Sequence, residues 1–278
     1  MRCAILSDIH GNLPALNAVF ADMDEQDIDY IFYLGDAVGY GADFAAVIAC
    51  LHEKVSSLPC RADGRERVSP IWLAGNHEWG LLGRADEGLF SQDALTALQR
   101  TRAELSRNEQ TLLAQLPQRI ELQLEDLQIT LTHASARDPV GTMHYIDNAA
   151  AAGEDAALIP GQLGLVGHTH QPSAFYENGL QLNGRRIWTA WDMPDGSNAT
   201  FTFATHRAIL NPGSVGQPRD GDPRAAYALL DVNERNFTVR RVPYNIHVAQ
   251  FRLRNWIGDR LPNIDTPGGL AGRLAVGL

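Results

Sequence analysis

Five of the chain's nine histidines fall, with two aspartates and an asparagine, in five short motifs. In chain order these read Ser7-Asp8-Ile9-His10-Gly11-Asn12, Gly35-Asp36-Ala37-Val38-Gly39-Tyr40-Gly41, Gly75-Asn76-His77-Glu78, Thr132-His133-Ala134 and Gly167-His168-Thr169-His170. Carboxylate, imidazole and amide oxygen form a mixed nitrogen and oxygen donor set. Such a set suits Mn²⁺ first, or Fe²⁺, Zn²⁺ or Ni²⁺, rather than Mg²⁺ or Ca²⁺, which favour all-oxygen shells. Two such cations would give the chemistry that phosphoester hydrolysis needs at neutral pH. They supply a nucleophile stronger than water and positive charge on the phosphate oxygens. A carboxylate, with two oxygens and a full charge, is the natural bridge between them. Ile9 and Thr169 each separate two donors, and residues two apart point the same way from an extended loop.

Distant donors converge only if rigid elements carry them. Residues 3–6, 30–34, 71–74 and 163–166 read as buried strands, each ending at a motif. Helical spacing covers 13–23, with Pro14 tolerated in the first turn, and 44–55. Residues 92–116 read as one or two helices, and 120–124 with 127–131 as a hairpin turning at Glu125-Asp126. From 173 to 242 the texture becomes strand-rich, and 246–256 reads as a last helix. Motifs just past strand ends match the way open α/β sheets bind ligands.

The five motifs together resemble the calcineurin-like metallophosphoesterase superfamily, whose pattern is D-x-H, GD, GNH[DE], a lone H and GHTH. The resemblance covers about residues 3–231 and includes Asn211-Pro212-Gly213-Ser214-Val215-Gly216-Gln217-Pro218-Arg219, similar to a segment of bacterial members. It implies an α/β fold, a four-layer α/β/β/α sandwich of two mixed sheets. The first half would build one sheet and the strand-rich half the other. It also implies site roles. Asp8, His10 and His170 would bind one metal, Asp36 would bridge, and Asn76, His133 and His168 would bind the second. His77 would be the general acid, or a donor to the phosphoryl oxygen, with an imidazole pKa near neutrality. The expected activity is in-line hydrolysis of phosphodiester or nucleotide-type substrates. A phosphomonoesterase or protein phosphatase, and a non-catalytic scaffold, are the alternatives.

One departure from the family's pattern bears on substrate. Protein phosphatases, and related diadenosine tetraphosphatases, continue the second motif to an Arg that grips phosphate. In the protein phosphatases an Asp just before it orients the catalytic histidine. Here those positions hold Gly39 and Tyr40. That speaks against a protein phosphatase and for the bacterial phosphodiesterase-like branch, with Glu78 a candidate for the missing carboxylate's work. Gly39-Tyr40-Gly41 reads equally as a tight turn requiring glycine or as a turn presenting Tyr40 to a substrate ring.

With 278 residues, 45% hydrophobic and 20% charged, the chain is expected to pack a core. The assignment is a single domain over 1–260, residues 81–116 a candidate cap, and a poorly ordered Gly-rich tail over 261–278. A net charge of −10 disfavours coating a polymeric nucleic acid, although bound cations reverse the sign locally. The expected partner is a small phosphoester. Cys3, Cys50 and Cys60 lack zinc spacing and read as free thiols of a reducing, cytoplasmic compartment. No signal peptide or membrane span is read, so the sequons at Asn198 and Asn236 carry no weight. Outside the motifs, His52, His144, His206 and His247 read as surface or satisfied core. Arg137, Arg219 and Arg224 lie near motif segments and are candidates for phosphate oxygens, although surface loops carry arginines anyway. Arg240-Arg241 reads as a solvated face, and Trp188 and Trp191 as hairpin or core packing.

Overall fold

The computed structural model describes residues 1–56, 70–182, 185–194, 198–258, 261 and 263–278; Cys60 and Pro262 lie outside them. Three parallel strands, β1 (Arg2–Leu6), β2 (Tyr30–Tyr33) and β3 (Ile71–Trp72), are joined through helices α1 (Leu13–Asp24) and α2 (Phe44–Ser56). Antiparallel β11 (Ala225–Asp231), β12 (Asn236–Val242) and β9 (Asn198–Thr202) extend that sheet, in the order β3-β2-β1-β11-β12-β9. The second sheet runs β4-β5-β6-β10-β7-β8. Its central strands β5 (Leu127–Thr132), β6 (Leu163–Leu165) and β10 (Ala208–Asn211) are parallel. β4 (Arg119–Leu124), β7 (Ser173–Leu182) and β8 (Arg185–Ala190) flank them antiparallel.

The period of two along each strand divides the core. Cys3 and Ile5 of β1, Phe32 of β2 and Ala228 and Leu230 of β11 face the second sheet. Ala4, Leu6, Tyr33, Tyr227 and Leu229 face α1 and α2 instead. On the far side, α6 (Ala149–Ala156) packs Ala152 and Ala156 against Phe175 and Ile209 of the second sheet. The four layers are therefore helices, sheet, sheet and helix, as expected.

The division of strands between sheets is not as expected. The sheets interleave the two halves of the chain: β9, β11 and β12 complete the first, while β4 and β5 open the second. The reason lies in β1. Residues 3–6 are buried on both faces, so the strand must be paired on both edges, and β11 fills the edge that β2 leaves. Periodicity marks such a strand without naming its partner.

Helices α3 (Asn76–Leu81) and α8 (Leu270–Val276), like α6, add to those read from the sequence pattern, and the stretch read as one or two helices is two. Residues 92–116 form α4 (Gln92–Glu104) and α5 (Arg107–Ala114), with Ser106 capping the second. Short α3 starts inside the third motif. α7 (Ile246–Ile257) is followed by α8, inside the segment expected to be poorly ordered. Leu270, Ala271 and Leu274 of α8 are buried against Ala249, Leu253 and Ile257 of α7, and Gln250 Nε2 donates to the Ala271 carbonyl at 2.8 Å. Glycine here permits close packing: a Cβ on Gly272 would lie 1.8 Å from the Thr266 carbonyl oxygen. Arg240 and Arg241 are paired rather than solvated, with Asp22 and Asp220. Trp188 packs on Gly153 of α6, and Trp191 against Phe201. No helix among the described residues is long and apolar enough to cross a membrane.

Candidate metal centre

All five motifs, and the 212–219 segment, leave the carboxyl ends of the six parallel strands. The loops after β1 and β2 are tied together: the N–H groups of Asp8, His10 and Gly11 donate to the carbonyls of Gly35, Asp36 and Ala37. Bonds then cross between the sheets. Gly216 N–H donates to the Asp8 carbonyl (3.0 Å), His168 N–H to Asp8 Oδ2 (3.0 Å), and His133 Nδ1 to the Leu34 carbonyl (2.7 Å). Asn12 caps α1 by accepting from Ala15 N–H, and its amide donates to the Gly216 carbonyl.

Three imidazoles share one device. His10 Nδ1 lies 3.0 Å from the Val38 carbonyl oxygen, His133 Nδ1 2.7 Å from that of Leu34, and His170 Nδ1 2.6 Å from that of Gln217. A carbonyl only accepts, so each Nδ1 carries a proton and each ring turns its Nε2 to the site, with a lone pair there on the neutral rings of His10 and His170. Two of these, on His10 and His170, are only 3.0 Å apart. Asp8 Oδ1 is 3.3 Å from His170 Nε2, and Asp36 Oδ2 is 3.3 Å from His133 Nε2. Asp8 Oδ1, Asn76 Oδ1, His77 Nδ1, His133 Nε2 and His168 Nε2 are buried with no hydrogen-bond partner among the described residues. Each such atom costs about 1–3 kcal/mol. Converging lone pairs of this kind are what a cation relieves, so the donor set fits divalent metals.

Asp8, His10 and His170 offer atoms within 4.8 Å of one another, as do Asp8, Asp36 and His133. His168, an expected donor of the second ion, stands outside these groupings, although its Nε2, like Asn76 Oδ1, is buried and unpartnered among the described residues. His77 joins His10 and Asp36 in a third grouping, which the sequence did not indicate.

The backbone is not extended at the spaced donors. Asp8 (φ 55°), His10 (49°), Asp36 (53°), His168 (66°) and His170 (60°) all lie in the left-handed region. Left-handed backbone costs about 1 kcal/mol or more per residue with a Cβ, and Asp and His are among the types that enter it most readily. The loop hydrogen bonds hold that strain in place.

Charge sharpens the arrangement. Burial alone would raise the carboxyls of Asp8 and Asp36, but the facing imidazoles hold both below the usual range. Burial lowers His10, aided by His77 and His170, and lowers His168 to about 3, aided by His133. Burial and Arg219 also lower His170. At His133 burial is outweighed by Asp36, and the pKa rises to about 10. A proton there stands where a cation would. His77, expected near neutrality, is pushed down to about 4 by burial, against the pull of Asp36, and is neutral at pH 7.

Gly39, Tyr40 and Glu78 have structural tasks. A Cβ on Gly39 (φ 102°) would lie 2.1 Å from His77 Nδ1, so the glycine makes room for that ring. Tyr40 is buried, with its ring centroid 4.8 Å from that of His10 and 4.7 Å from that of His77. Glu78 is fully buried and accepts from the N–H groups of Gly75, Asp36, Ala37 and Val38. It clasps the second and third motif loops together, and among the described residues no hydrogen bond joins it to the His77 ring.

Beside His77 opens a cavity of about 440 Å³, bounded by Tyr40, Asn76, Phe90, Tyr145 and Arg219 among others. Leu89, Phe90, Ser91 and Ala94 of the candidate cap form one wall, with the Phe90 ring 5.5 Å from His77. Tyr145, which spacing did not mark, is stacked on His168 at 4.2 Å and is 51% exposed. Of the three candidate arginines, Arg219 lines this cavity, while Arg137 pairs with Glu154 and Arg224 with Asp222. His52 and His247 are exposed, and His206 packs on Tyr176.

This chain belongs to the calcineurin-like phosphoesterase superfamily, whose domain model matches residues 1–235. It is 31% identical to an uncharacterized protein of Methanocaldococcus jannaschii, over 93% of this chain and 96% of that one. A metallophosphoesterase of Sphaerobacter thermophilus, of solved structure, is also 31% identical, with a TM-score of 0.76 over 100% of this chain and 99% of the other. A hypothetical protein from Pyrococcus horikoshii OT3 shares the fold at 17% identity, with a TM-score of 0.70 and coverage of 100% and 98%. The activity class of the family is hydrolysis of phosphoesters.

Proposed function

We propose that the chain is a dinuclear metal-dependent hydrolase of phosphodiester or nucleotide-type small molecules, using manganese in the cytoplasm. The observation that carries this reading is the convergence of buried, unpartnered oxygen and nitrogen atoms from five loops. Asp8, His10 and His170 would hold one cation, Asn76, His133 and His168 the other, and Asp36 would lie between them. Two divalent cations, when bound, supply a nucleophilic water at neutral pH and positive charge opposite the phosphoryl oxygens.

The chain's own groups do the rest. Asp36 is further fixed because its Oδ1 accepts from His77 N–H at 2.9 Å. His77, neutral at pH 7 with a pKa of about 4, serves as a ring N–H donor to a substrate oxygen rather than as an imidazolium acid. The cavity of about 440 Å³ beside it supports a diester, because a second substituent on phosphorus has somewhere to go. The acidic net charge of −10 supports a small substrate over a nucleic acid polymer.

The test is turnover of bis(p-nitrophenyl) phosphate beside p-nitrophenyl phosphate, with chelated protein reloaded with Mn²⁺. Diester cleavage should exceed monoester cleavage. Asp36→Asn should lower it about 10³-fold or more with the fold retained. Wild-type turnover in that variant would sink the bridging role, and preferred monoester cleavage would sink the diester assignment.

A further inference from the structure

Two arginines line the cavity beside His77, and they differ in what they hold. Arg273 is committed, donating to Asp93 Oδ2 (3.3 Å) and to the Gly268 carbonyl (2.6 Å). Arg219 donates only to neutral oxygens, Tyr40 Oη at 3.2 Å and Gln217 Oε1 at 3.0 Å, and both bonds come from the same nitrogen, Nη2. Its Nε and Nη1 make no hydrogen bond, and no carboxylate pairs with it, among the described residues. The guanidinium carbon lies 5.8 Å from the Tyr40 ring centroid, which fixes the plane of the fork without neutralising it.

The backbone ties this side chain to the metal centre. Arg219 N–H donates to the His170 carbonyl (3.2 Å), and the Gln217 carbonyl accepts from His170 Nδ1 (2.6 Å). The arginine and a candidate ligand are thus held by one short segment. A half-buried cation with two free donor nitrogens, beside a centre that gains further positive charge on loading metal, lacks an anion. A planar fork of N–H donors matches the oxygens of a phosphate.

We propose that Arg219 is the phosphoryl-binding residue of this site, its guanidinium taking a non-bridging oxygen of the substrate or of inorganic phosphate. The inference rests on the phosphoesterase reading given above. Arg219 reaches, from the segment after β10, the space beside Tyr40 on the loop after β2. Tyr40 is a positioning residue, since its hydroxyl and ring orient the guanidinium.

The experiment measures inorganic phosphate affinity by titration calorimetry on the Mn²⁺-loaded full chain, for wild type, Arg219→Ala and Arg219→Gln. Metal content is assayed on the same samples, and kcat and KM for bis(p-nitrophenyl) phosphate are followed in parallel. Loss of Arg219 should weaken phosphate binding about tenfold or more, with metal content unchanged. Added guanidinium ion should restore turnover to Arg219→Ala and not alter that of wild type. If Arg219→Ala fails to fold, Arg219→Gln, which keeps the stem against Tyr40, carries the same expectation. Undiminished phosphate affinity, a wild type that binds no phosphate, or loss of metal from a folded variant would each overturn the inference. Phosphate binding is read without turnover. A wild type that binds phosphate through Arg219 yet hydrolyses no phosphoester would therefore overturn the proposed function and leave this inference standing.

Discussion

On the floor of the site, His10, His133 and His170 each give a ring N–H to a backbone carbonyl of another loop, and all three are nearly inaccessible to solvent. At the rim, Tyr145 is held among the described residues by one ring stack, and nearby Met143 is 80% exposed. The floor is fixed by many independent ties, enough to hold five non-glycine residues in left-handed backbone. The rim rests on few. Substitutions on the floor should therefore disturb assembly or chemistry, and substitutions at the rim should change how substrate is held.

The sharpest break in that contrast is Gly39→Ala. The added Cβ would collide with His77 Nδ1, 2.1 Å away, and displace the ring while leaving Asp8, His10 and His170 in place. Turnover should fall about 100-fold with metal content unchanged, as read by steady-state kinetics beside elemental analysis. Equal turnover would mean that His77 need not sit where it does.

Next comes the pH dependence of metal binding to the floor. Of the imidazoles there, His133 is the one raised, to about 10, while His10, His168 and His170 are lowered. His133 therefore carries a proton at pH 7 that a metal must displace. Metal affinity should rise with pH by about tenfold per unit below that pKa, with about one proton released. Calorimetry in buffers of different ionisation enthalpy measures that proton, and its absence would remove His133 from the ligand set.

At the rim, Tyr145→Ala should raise KM about fivefold by loss of a ring contact, with kcat and metal content little changed. A matching loss of metal would show that the stack on His168 belongs to the floor.

A smaller effect is expected far from the site, at the Asp22–Arg240 pair, where Tyr227 Oη also donates to Asp22. The bonds from Arg240, with that from Tyr227, lower the Asp22 pKa despite burial. Its ionised form therefore contributes stability above the unfolded value of about 3.9, and the contribution is lost as pH falls through the lower folded value. Asp22→Asn should cost about 1 kcal/mol or less at pH 7, because the pair is partly solvated, and nothing in acid. Equal losses at both pH values, in denaturant titrations, would assign the effect to packing.

The contrast between floor and rim also governs what could be read from the chain. Asp8, His10, Asp36, His133, His168 and His170 are legible because few residue types offer donor atoms suited to a metal and because each follows a buried apolar run. Tyr145 is not, since an exposed aromatic in a loop resembles any other surface residue until its partner is known. Gly39 and Tyr40 were marked as a departure, but whether the glycine serves a turn or a neighbouring ring depends on where His77 lies. The Gly-rich stretch that runs into α8 misleads for a related reason: composition reports chain flexibility, whereas Gly272, within the helix, is used for close packing.

The sequence by itself determined the donor types, their order and the strands that precede them, because these are local properties of periodicity and residue chemistry; the layered architecture followed only from the family resemblance those motifs carry. Only the tertiary structure decided that β11 rather than a neighbour in sequence closes the edge of β1. The same is true of the left-handed backbone at the paired donors, the low pKa of His77 and the place of Arg219 beside Tyr40. Each of these depends on groups far apart along the chain, and through-space packing and electrostatics leave no mark on local sequence pattern.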